Sequence, residues 1–430
     1  MDDGRRGYHV RSKDYRQEGH DGTVVNIPSS SERPLADKFF KRRQAAAAFK
    51  HAILSRYPVV FASKLGSTAK GSKVVFLDGY AGRGRYQEDQ KPGSPLLLAA
   101  GADRFDDRNI FGFFVERDKG NAAVLRQVLH ETDTKMQYEV IQGDLDDHLD
   151  AILRQIGSAP LFAFLDPFGT ALDYSRLRTQ LLNRRSGPTE VLLHFTASGV
   201  ARMGGILRSA RGRDLTDVEQ KQVVRVDRFL GGAWWREYFS DVNSEENEER
   251  ATNVALRVSD EFARLIRRET GFLAVTMPIR PKPDLLPKYV LALFTRKAEG
   301  LWCFADTLGY AGMDWHAAWL EEDDRRRLGR DGDQGVFDIF ASPGWQFDKA
   351  DYEAREAPSW IAEIEQNILR LLERGTVRLD ERVVEVYGNT LGVAWGKHIK
   401  AAVKNLHRDR VIVNTGVGTY YYREPLVRRA

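Results

Sequence analysis

The sequence predicts an α/β fold: an open, doubly wound sheet of mainly parallel strands, with helices on both faces. Three observations favour this class. Short apolar stretches rich in β-branched residues alternate with helical patterns between residues 74 and 195. Acidic residues follow several of these stretches, where parallel strands would end. Glycines crowd the first strand–helix connection, from residue 79 to residue 84.

The elements follow in a regular order. Residues 1–34 are rich in Gly, Ser, Asp and Arg without periodicity, so we expect a mobile tail. We expect a main domain over 35–310, opened by an amphipathic helix from about Leu35. Its predicted strands are 74–78, 110–115, 137–141, 160–165 and 189–195, and the helices between them are 94–102, 119–131, 145–156 and 173–183.

The second half of this domain changes character. Residues 200–250 look helical and polar, so we expect an insertion above the sheet, anchored by Trp234, Trp235, Tyr238 and Phe239. A helix is predicted over 251–269. Two further strands, 272–279 and 287–295, would then form an antiparallel pair that ends the sheet.

The C-terminal part is predicted as a linker or lid over 311–357 and a separate unit over 358–430. Helical stripes near 361–372, 383–387 and 396–410 precede Val411–Val413 and Tyr420–Tyr422, which flank a glycine-containing turn. Three helices followed by a hairpin are typical of a winged helix. Winged helices bind nucleic acids or proteins, and both partners stay open at this point.

Composition limits the function classes. The chain of 430 residues is 42% hydrophobic and 29% charged, as in ordinary soluble proteins. No apolar run approaches the roughly 18 residues that a membrane helix requires, and the N-terminal sequence has no secretory pattern. Cys303 is the single cysteine, which excludes an internal disulfide and a multi-cysteine metal site. We therefore expect a cytoplasmic protein without membrane partners.

Basic residues concentrate at the two ends of the chain. Residues 1–50 hold 11 Lys/Arg and 7 Asp/Glu, residues 360–430 hold 12 and 8, and the middle is net acidic. This distribution favours a polyanion held at the periphery, although a simply solvated surface explains it too. On the last predicted helix, one face carries the candidate nucleic-acid contacts, Lys397, Lys400, Lys404 and Arg408.

The stretch Asp78-Gly79-Tyr80-Ala81-Gly82-Arg83-Gly84 is the strongest local signal. Glycine allows the backbone to adopt positive φ and to approach a ligand closely. An acid directly before the glycines would repel phosphate, so the loop suits a ligand with a positive charge, such as the ammonium group of S-adenosylmethionine. A loop tightened for packing alone is the alternative.

Four acids would meet at the carboxyl edge of the predicted sheet: Asp78, Glu116, Asp144 and Asp166. Glu116 could accept hydrogen bonds from both ribose hydroxyls, and Asp144 from the amine of an adenine. Each acid alone could instead be a loop or helix-cap residue. Four in succession at one edge favour a pocket for a nucleoside.

Asp166-Pro167-Phe168-Gly169 follows the fully apolar strand at 161–165. A helix N-cap is the simple interpretation of an Asp-Pro pair after a strand. The same carboxylate and the Pro167 carbonyl could also accept the hydrogens of an exocyclic amine, while Phe168 stacks on its base. Methyl transfer to such an amine needs no metal and no covalent nucleophile, so catalysis would be positioning and electrostatics.

These motifs, together with Lys50-His51 and the Pro92-Gly93-Ser94-Pro95 turn, resemble the three-Cys-motif partner proteins (TcmP). The same elements in the same order are similar to the bacterial large-subunit rRNA adenine-N6 methyltransferase. The likeness to the methyltransferase covers about 50–200, and the likeness to the partner family extends through the strand pair near 290 and to the predicted winged helix. Both imply a Rossmann-like class I methyltransferase sheet.

The resemblance also implies site residues. Asp78, Gly79, Ala81, Gly82 and Gly84 would surround the methionine part of S-adenosylmethionine, with Lys50, His51 and Ser94 near its carboxylate. Glu116 would hold the ribose, Asp144 the adenine, and Asp166 the target amine, adenine N6 first and in RNA ahead of DNA.

This chain departs from the methyltransferase at one motif, since it has Pro-Phe-Gly where that enzyme has Pro-Pro-Tyr. The partner family is named for a neighbouring protein with a three-cysteine motif. A non-catalytic adaptor that partners such a protein in a defence or modification system is therefore the alternative to an enzyme.

Overall fold

The computed structural model describes residues 45–66, 73–87, 90–167, 171–210, 213–240, 248–333 and 347–429, without the side chains of 45 and 325–333. They belong to a compact unit that spans Phe40–Ala430. The predicted tail over 1–34 and the predicted start of the first helix near Leu35 lie outside the described residues.

A seven-stranded sheet forms the centre of this unit. Its strands are β1 (Lys73–Asp78), β2 (Asn109–Glu116), β3 (Gln137–Gln142), β4 (Leu161–Leu165), β5 (Thr189–Phe195), β6 (Leu273–Ile279) and β7 (Tyr289–Thr295). Their spatial order is β3-β2-β1-β4-β5-β7-β6. The first five pair in parallel, and β7 lies antiparallel between β5 and β6. The predicted doubly wound α/β sheet, ended by an antiparallel strand pair, is confirmed.

The helices are α1 (Ala45–Leu54), α2 (Tyr57–Gly66), α3 (Ser94–Ala102), α4 (Lys119–Glu131), α5 (Leu145–Ile156), α6 (Tyr174–Arg176), α7 (Ala197–Ser209), α8 (Asp217–Leu230), α9 (Glu248–Thr270), α10 (Ala298–Asp333), α11 (Lys349–Leu372), α12 (Val383–Tyr387) and α13 (Gly396–Arg408). None of them, within the part of the chain described, is both long and apolar enough to cross a membrane. The helix predicted over 173–183 is instead the short α6 continued by a π-helical turn, Leu177–Leu182.

Both faces of the sheet are covered, because successive side chains of each strand point in opposite directions. Phe76, Phe162 and Leu192 face one hydrophobic cluster, which includes residues of α1, α2, α3, α10 and the C-terminal helices. Val75, Ala163 and Leu193 face the other, which includes residues of α5, α7, α8 and α9. The helices predicted over 200–250 belong to this second layer, where Trp235 and Phe239 are fully buried.

The region predicted as a linker or lid over 311–357 is largely helical, since α10 continues to Asp333 and α11 begins at Lys349. The expected boundary near residue 358 falls inside α11. Two glycines of α10 allow a close approach of the C-terminal backbone. A Cβ at Gly312 would lie 1.7 Å from the Gly392 carbonyl oxygen, and one at Gly309 would lie 2.2 Å from that of Ala394. The C-terminal backbone therefore packs directly against α10.

The predicted hairpin between Val411–Val413 and Tyr420–Tyr422 is wrong. Ile412 pairs instead with Arg428, and residues 421–423 form a 3-10 turn. The physical reason is packing: the Tyr422 ring stacks on Trp302 of α10 with centroids 4.4 Å apart, which takes the tyrosines out of any strand. The segment that pairs with Ile412 thus lies beyond the tyrosines, at Arg428.

Candidate active site

The glycine loop after β1 is fixed by the neighbouring strand ends. The Gly79 N–H donates to the Phe164 carbonyl of β4 at 3.0 Å, and the Ala81 N–H donates to the Val115 carbonyl of β2 at 2.9 Å. Gly82 has a φ of 65°, and Gly84 one of 83°. A Cβ at Gly79 would come within 2.7 Å of Leu145. The glycines therefore allow the loop to lie tightly across the carboxyl ends of three strands.

Asp78 ends β1 and is completely buried. Its Oδ1 accepts the Tyr80 N–H at 3.2 Å, whereas its Oδ2 accepts no hydrogen bond from the described residues. Burial raises the pKa of Asp78 to about 7, although the Ser94 hydroxyl and the Tyr80 N–H oppose the rise. A buried carboxylate oxygen without a donor is costly unless a ligand completes it. A cationic or N–H-rich group fits this need.

Glu116, at the end of β2, is also buried. Its two carboxylate oxygens accept the backbone N–H groups of Gly82 and Asp118, each at 2.8 Å. Each oxygen keeps a further acceptor position, which is what a pair of ribose hydroxyls requires. The side chain therefore holds the glycine loop and retains acceptor capacity beside it.

Asp144 follows β3 and occupies the N-cap position of α5. Its side chain makes no capping hydrogen bond with the described backbone, and its nearest ionic partner, the Arg117 guanidinium, is 3.9 Å away. The side chain is 60% exposed. The simple helix-cap interpretation is therefore not what this residue does in the structure.

Lys50, which is buried, and Asp166, which is partly buried, form an ion pair. Lys50 lies on α1, Asp166 directly follows β4, and Nζ donates to Oδ2 at 2.5 Å. Burial alone would lower the pKa of Lys50, but the Asp166 carboxylate outweighs it and raises that pKa. Burial likewise would raise the pKa of Asp166, and Lys50 with His194 and His51 brings it below its usual range. Both groups are therefore charged near neutral pH.

His194 joins this pair from the neighbouring strand β5. Its Nδ1 lies 3.1 Å from Asp166 Oδ1, and its ring lies 4.3 Å from the Tyr289 ring between centroids. Sequence analysis missed His194. The available signal was a single polar residue in the otherwise apolar run Val191-Leu192-Leu193-His194-Phe195, with the same side-chain direction as Leu192.

The remaining predicted residues surround the same edge. His51 is buried on α1 with its Nε2 3.2 Å from the Tyr86 hydroxyl, and Ser94 begins α3 beside Asp78. Pro167 is buried. Phe168, the predicted stacking residue, lies outside the described residues. Lys50 contacts Asp166, and its predicted place near the cofactor carboxylate stays a prediction.

The carboxylates at this edge fit a nucleoside bearing an ammonium group better than a metal ion. Asp78 offers a buried oxygen without a donor, Glu116 two acceptor positions, and Asp144 a largely exposed carboxylate. Within the described part of the chain, no three His, Cys, Asp or Glu side chains are grouped as a metal site requires. The site is thus rich in acceptors for N–H and O–H groups.

The predicted nucleic-acid face on α13 lies elsewhere, on the surface. Lys397 pairs with Glu353 of α11 and lies over the Trp395 ring, 5.0 Å from its centroid. The other three members are Lys400, which donates to the Gly418 carbonyl at 3.2 Å, Lys404, which is exposed, and Arg408, which pairs with Asp409 at 3.1 Å. Part of this positive charge is therefore compensated within the protein.

No protein-family model matches the sequence, and no curated protein matches it. Among solved structures, the O-methyltransferase TomG from Streptomyces achromogenes in complex with SAM is 14% identical, with a TM-score of 0.30, over 61% of this chain and 96% of that one. The O-methyltransferase from Bacillus cereus in complex with SAH is 13% identical, with a TM-score of 0.29, over 62% and 84%. The small RNA methyltransferase HEN1 is 12% identical, with a TM-score of 0.30, over 57% and 26%. The fold assignment rests on the strand order of the sheet itself.

Proposed function

We propose that this chain is a methyltransferase that uses S-adenosylmethionine to methylate an exocyclic amine of a nucleic-acid base, with adenine N6 in RNA as the first candidate. One observation carries the proposal: a buried Asp78 oxygen without a donor, at the carboxyl edge of a sheet with this strand order. The motif resemblance to the rRNA adenine-N6 methyltransferase and to the partner family supports the same proposal.

Each acid at this edge of the sheet would bind a different part of the cofactor. Asp78 would accept the ammonium group, Glu116 the ribose hydroxyls and Asp144 the adenine amine, and the backbone at Gly79 and Gly82 would lie beside the chain of the methionine. When bound, the cofactor supplies a methyl group on a sulfonium centre. The buried carboxylates of Asp78 and Glu116 would also balance the positive charge of the sulfonium.

Asp166 is the proposed acceptor for the target amine. Lys50 keeps its carboxylate ionised, so the group accepts hydrogen bonds and does not donate them. Accepting an N–H from the amine raises the electron density on its nitrogen and fixes its direction of attack. The Pro167 carbonyl would accept the second hydrogen. Nucleic acid would reach the site with help from the exposed basic face of α13.

Two variants test this proposal. Asp78→Asn should weaken the binding of S-adenosylmethionine by about 10-fold or more, because a charge-assisted hydrogen bond is lost. Asp166→Asn should abolish methyl transfer to total host RNA while cofactor affinity, measured by calorimetry, stays near that of the wild type. Loss of cofactor binding in Asp166→Asn would place Asp166 in the cofactor site and contradict the assigned role.

A non-catalytic adaptor is the second candidate, and one contact favours it. The Lys50 ammonium already occupies Asp166 Oδ2, so one of the two oxygens proposed to accept the target amine is engaged within the protein. In this alternative the chain binds the cofactor for sensing, or not at all, and acts beside a three-Cys-motif protein. Labelled cofactor incubated with host nucleic acid separates the two: label in the nucleic acid supports the enzyme, and none, even with the genomic neighbour added, supports the adaptor.

A further inference from the structure

His194 is the residue of this edge that neither the glycine loop nor the strand-end acids explain. It is the last but one residue of β5, beside Asp166, and its side chain is 17% exposed. The Nδ1 atom is buried and makes no hydrogen bond within the described residues, although Asp166 Oδ1 is only 3.1 Å away. Catalytic hydrogen bonds are often poorly aligned before the substrate binds, so this geometry is compatible with a working dyad.

Burial, more than any charged neighbour, keeps His194 neutral. Burial lowers the pKa of His194 to about 4, Asp166 opposes that shift, and Lys50 and Lys288 add to it. The other groups in contact keep their protons: the pKa of Lys50 is raised by Asp166, and burial raises the pKa of the Tyr289 phenol. Asp166 itself is tied to Lys50 as a carboxylate. A neutral imidazole is therefore the free base next to the acceptor oxygen.

We propose that His194 takes the proton that the target amine loses during methyl transfer, with Asp166 holding the imidazole in place. This inference rests on the proposed methyltransferase function. The amine nitrogen forms a bond to the methyl carbon, the carbon–sulfur bond breaks, and its electron pair goes to sulfur. The nitrogen then releases one proton, which His194 accepts at Nε2 while Asp166 stabilises the imidazolium through Nδ1–H. Water later removes the proton from the imidazolium.

The first test uses His194→Gln, which keeps a polar side chain of similar reach but no basic nitrogen. Single-turnover transfer of labelled methyl to total host RNA should fall about 10²- to 10⁴-fold. Cofactor affinity and thermal unfolding should stay near wild type. His130→Gln, at an exposed histidine on α4, is the matched control and should leave the rate unchanged. Transfer at the wild-type rate in His194→Gln overturns the proposal.

The second test needs no turnover. The ¹⁵N shifts of the His194 ring in the folded wild-type protein should show Nδ1 protonated and Nε2 bare at pH 7. An imidazolium, or a bare Nδ1, overturns the inference. Absence of methyl transfer by the wild-type protein to any nucleic acid would instead overturn the proposed function, so the two failures are distinguishable.

Discussion

Charged residues occur at two places in this molecule under opposite physical conditions. At the carboxyl edge of the sheet, Lys50 and Asp78 are buried and Asp166 is partly buried, and one carboxylate oxygen of Asp78 has no donor among the described residues. On the surface of α13, Lys397 and Lys404 face solvent, and Lys397 has Glu353 as its partner.

The comparison shows that a buried charge is stronger evidence of a functional site than an exposed charge. Solvent screens the charges of α13, so their pattern costs the fold little and is compatible with a merely solvated face. Enclosing Asp78 and Asp166 is costly, and a fold retains such groups where a ligand or a reaction uses them. The edge of the sheet is therefore the stronger functional assignment, and the basic face the weaker.

The largest expected effect comes from removing one member of each ion pair. Lys50→Met leaves Asp166 enclosed without its cation and should lower the free energy of unfolding by about 3–5 kcal/mol. Lys397→Met breaks an exposed pair and should change it by about 0–1 kcal/mol. Urea unfolding of both variants measures the difference. Equal losses would show that burial does not separate the two regions.

An effect of similar size is expected from Asp78, through pH. The folded protein, in which the pKa of Asp78 is about 7, holds a proton that the unfolded chain releases near pH 4. Stability is therefore lost as the pH rises from about 4 to about 7, and above that the cost is complete, on the order of 4 kcal/mol. Asp78→Asn lacks this cost, so its free energy of unfolding relative to wild type should increase across that interval.

Asp144→Asn is the matched control for that series, since its side chain is largely exposed and no backbone cap depends on it. Its difference from wild type should stay flat over the same pH range. A flat difference for Asp78→Asn as well would mean that this carboxylate is ionised in the folded protein without cost.

The site residues differ in how far apart in sequence their contacts lie. This separation determines which of them could be predicted from the sequence. The apolar runs predicted β1 to β5 closely, and their acidic ends predicted where Asp78, Glu116 and Asp144 gather, because strand direction alone brings such residues together. The Lys50–Asp166 pair joins residues 116 positions apart, and no local pattern specifies it.

Two errors have a common origin in tertiary packing. The tyrosines at 420–422 have high strand propensity, but Trp302 of α10 holds them in a turn. Glycines and mixed charges made 311–333 look like a linker, yet Gly312 is small because the Gly392 carbonyl lies against the helix. In both cases a residue type was selected by a distant neighbour, which a local pattern does not contain.

The smallest expected effect concerns the basic face of α13. If it contacts nucleic acid, Lys404→Gln should reduce the slope of log affinity against log salt by about 0.7–0.9, as for one neutralised phosphate. Lys397→Gln should reduce it less, because Glu353 already compensates that charge. Filter binding to RNA over a salt series compares them. Unchanged slopes in both variants would move the nucleic-acid contact away from this helix.

The position of β7 also decides when the sheet can be completed during synthesis. β5 ends at Phe195, and the strand that pairs with its outer edge begins only at Tyr289, after α7, α8 and α9 have been made. Until then β5 is an unpaired edge, which other chains can join. A ribosome that stalls before Thr295 would thus leave a nascent chain prone to association, and closing so long a loop should make this pairing a late event in folding.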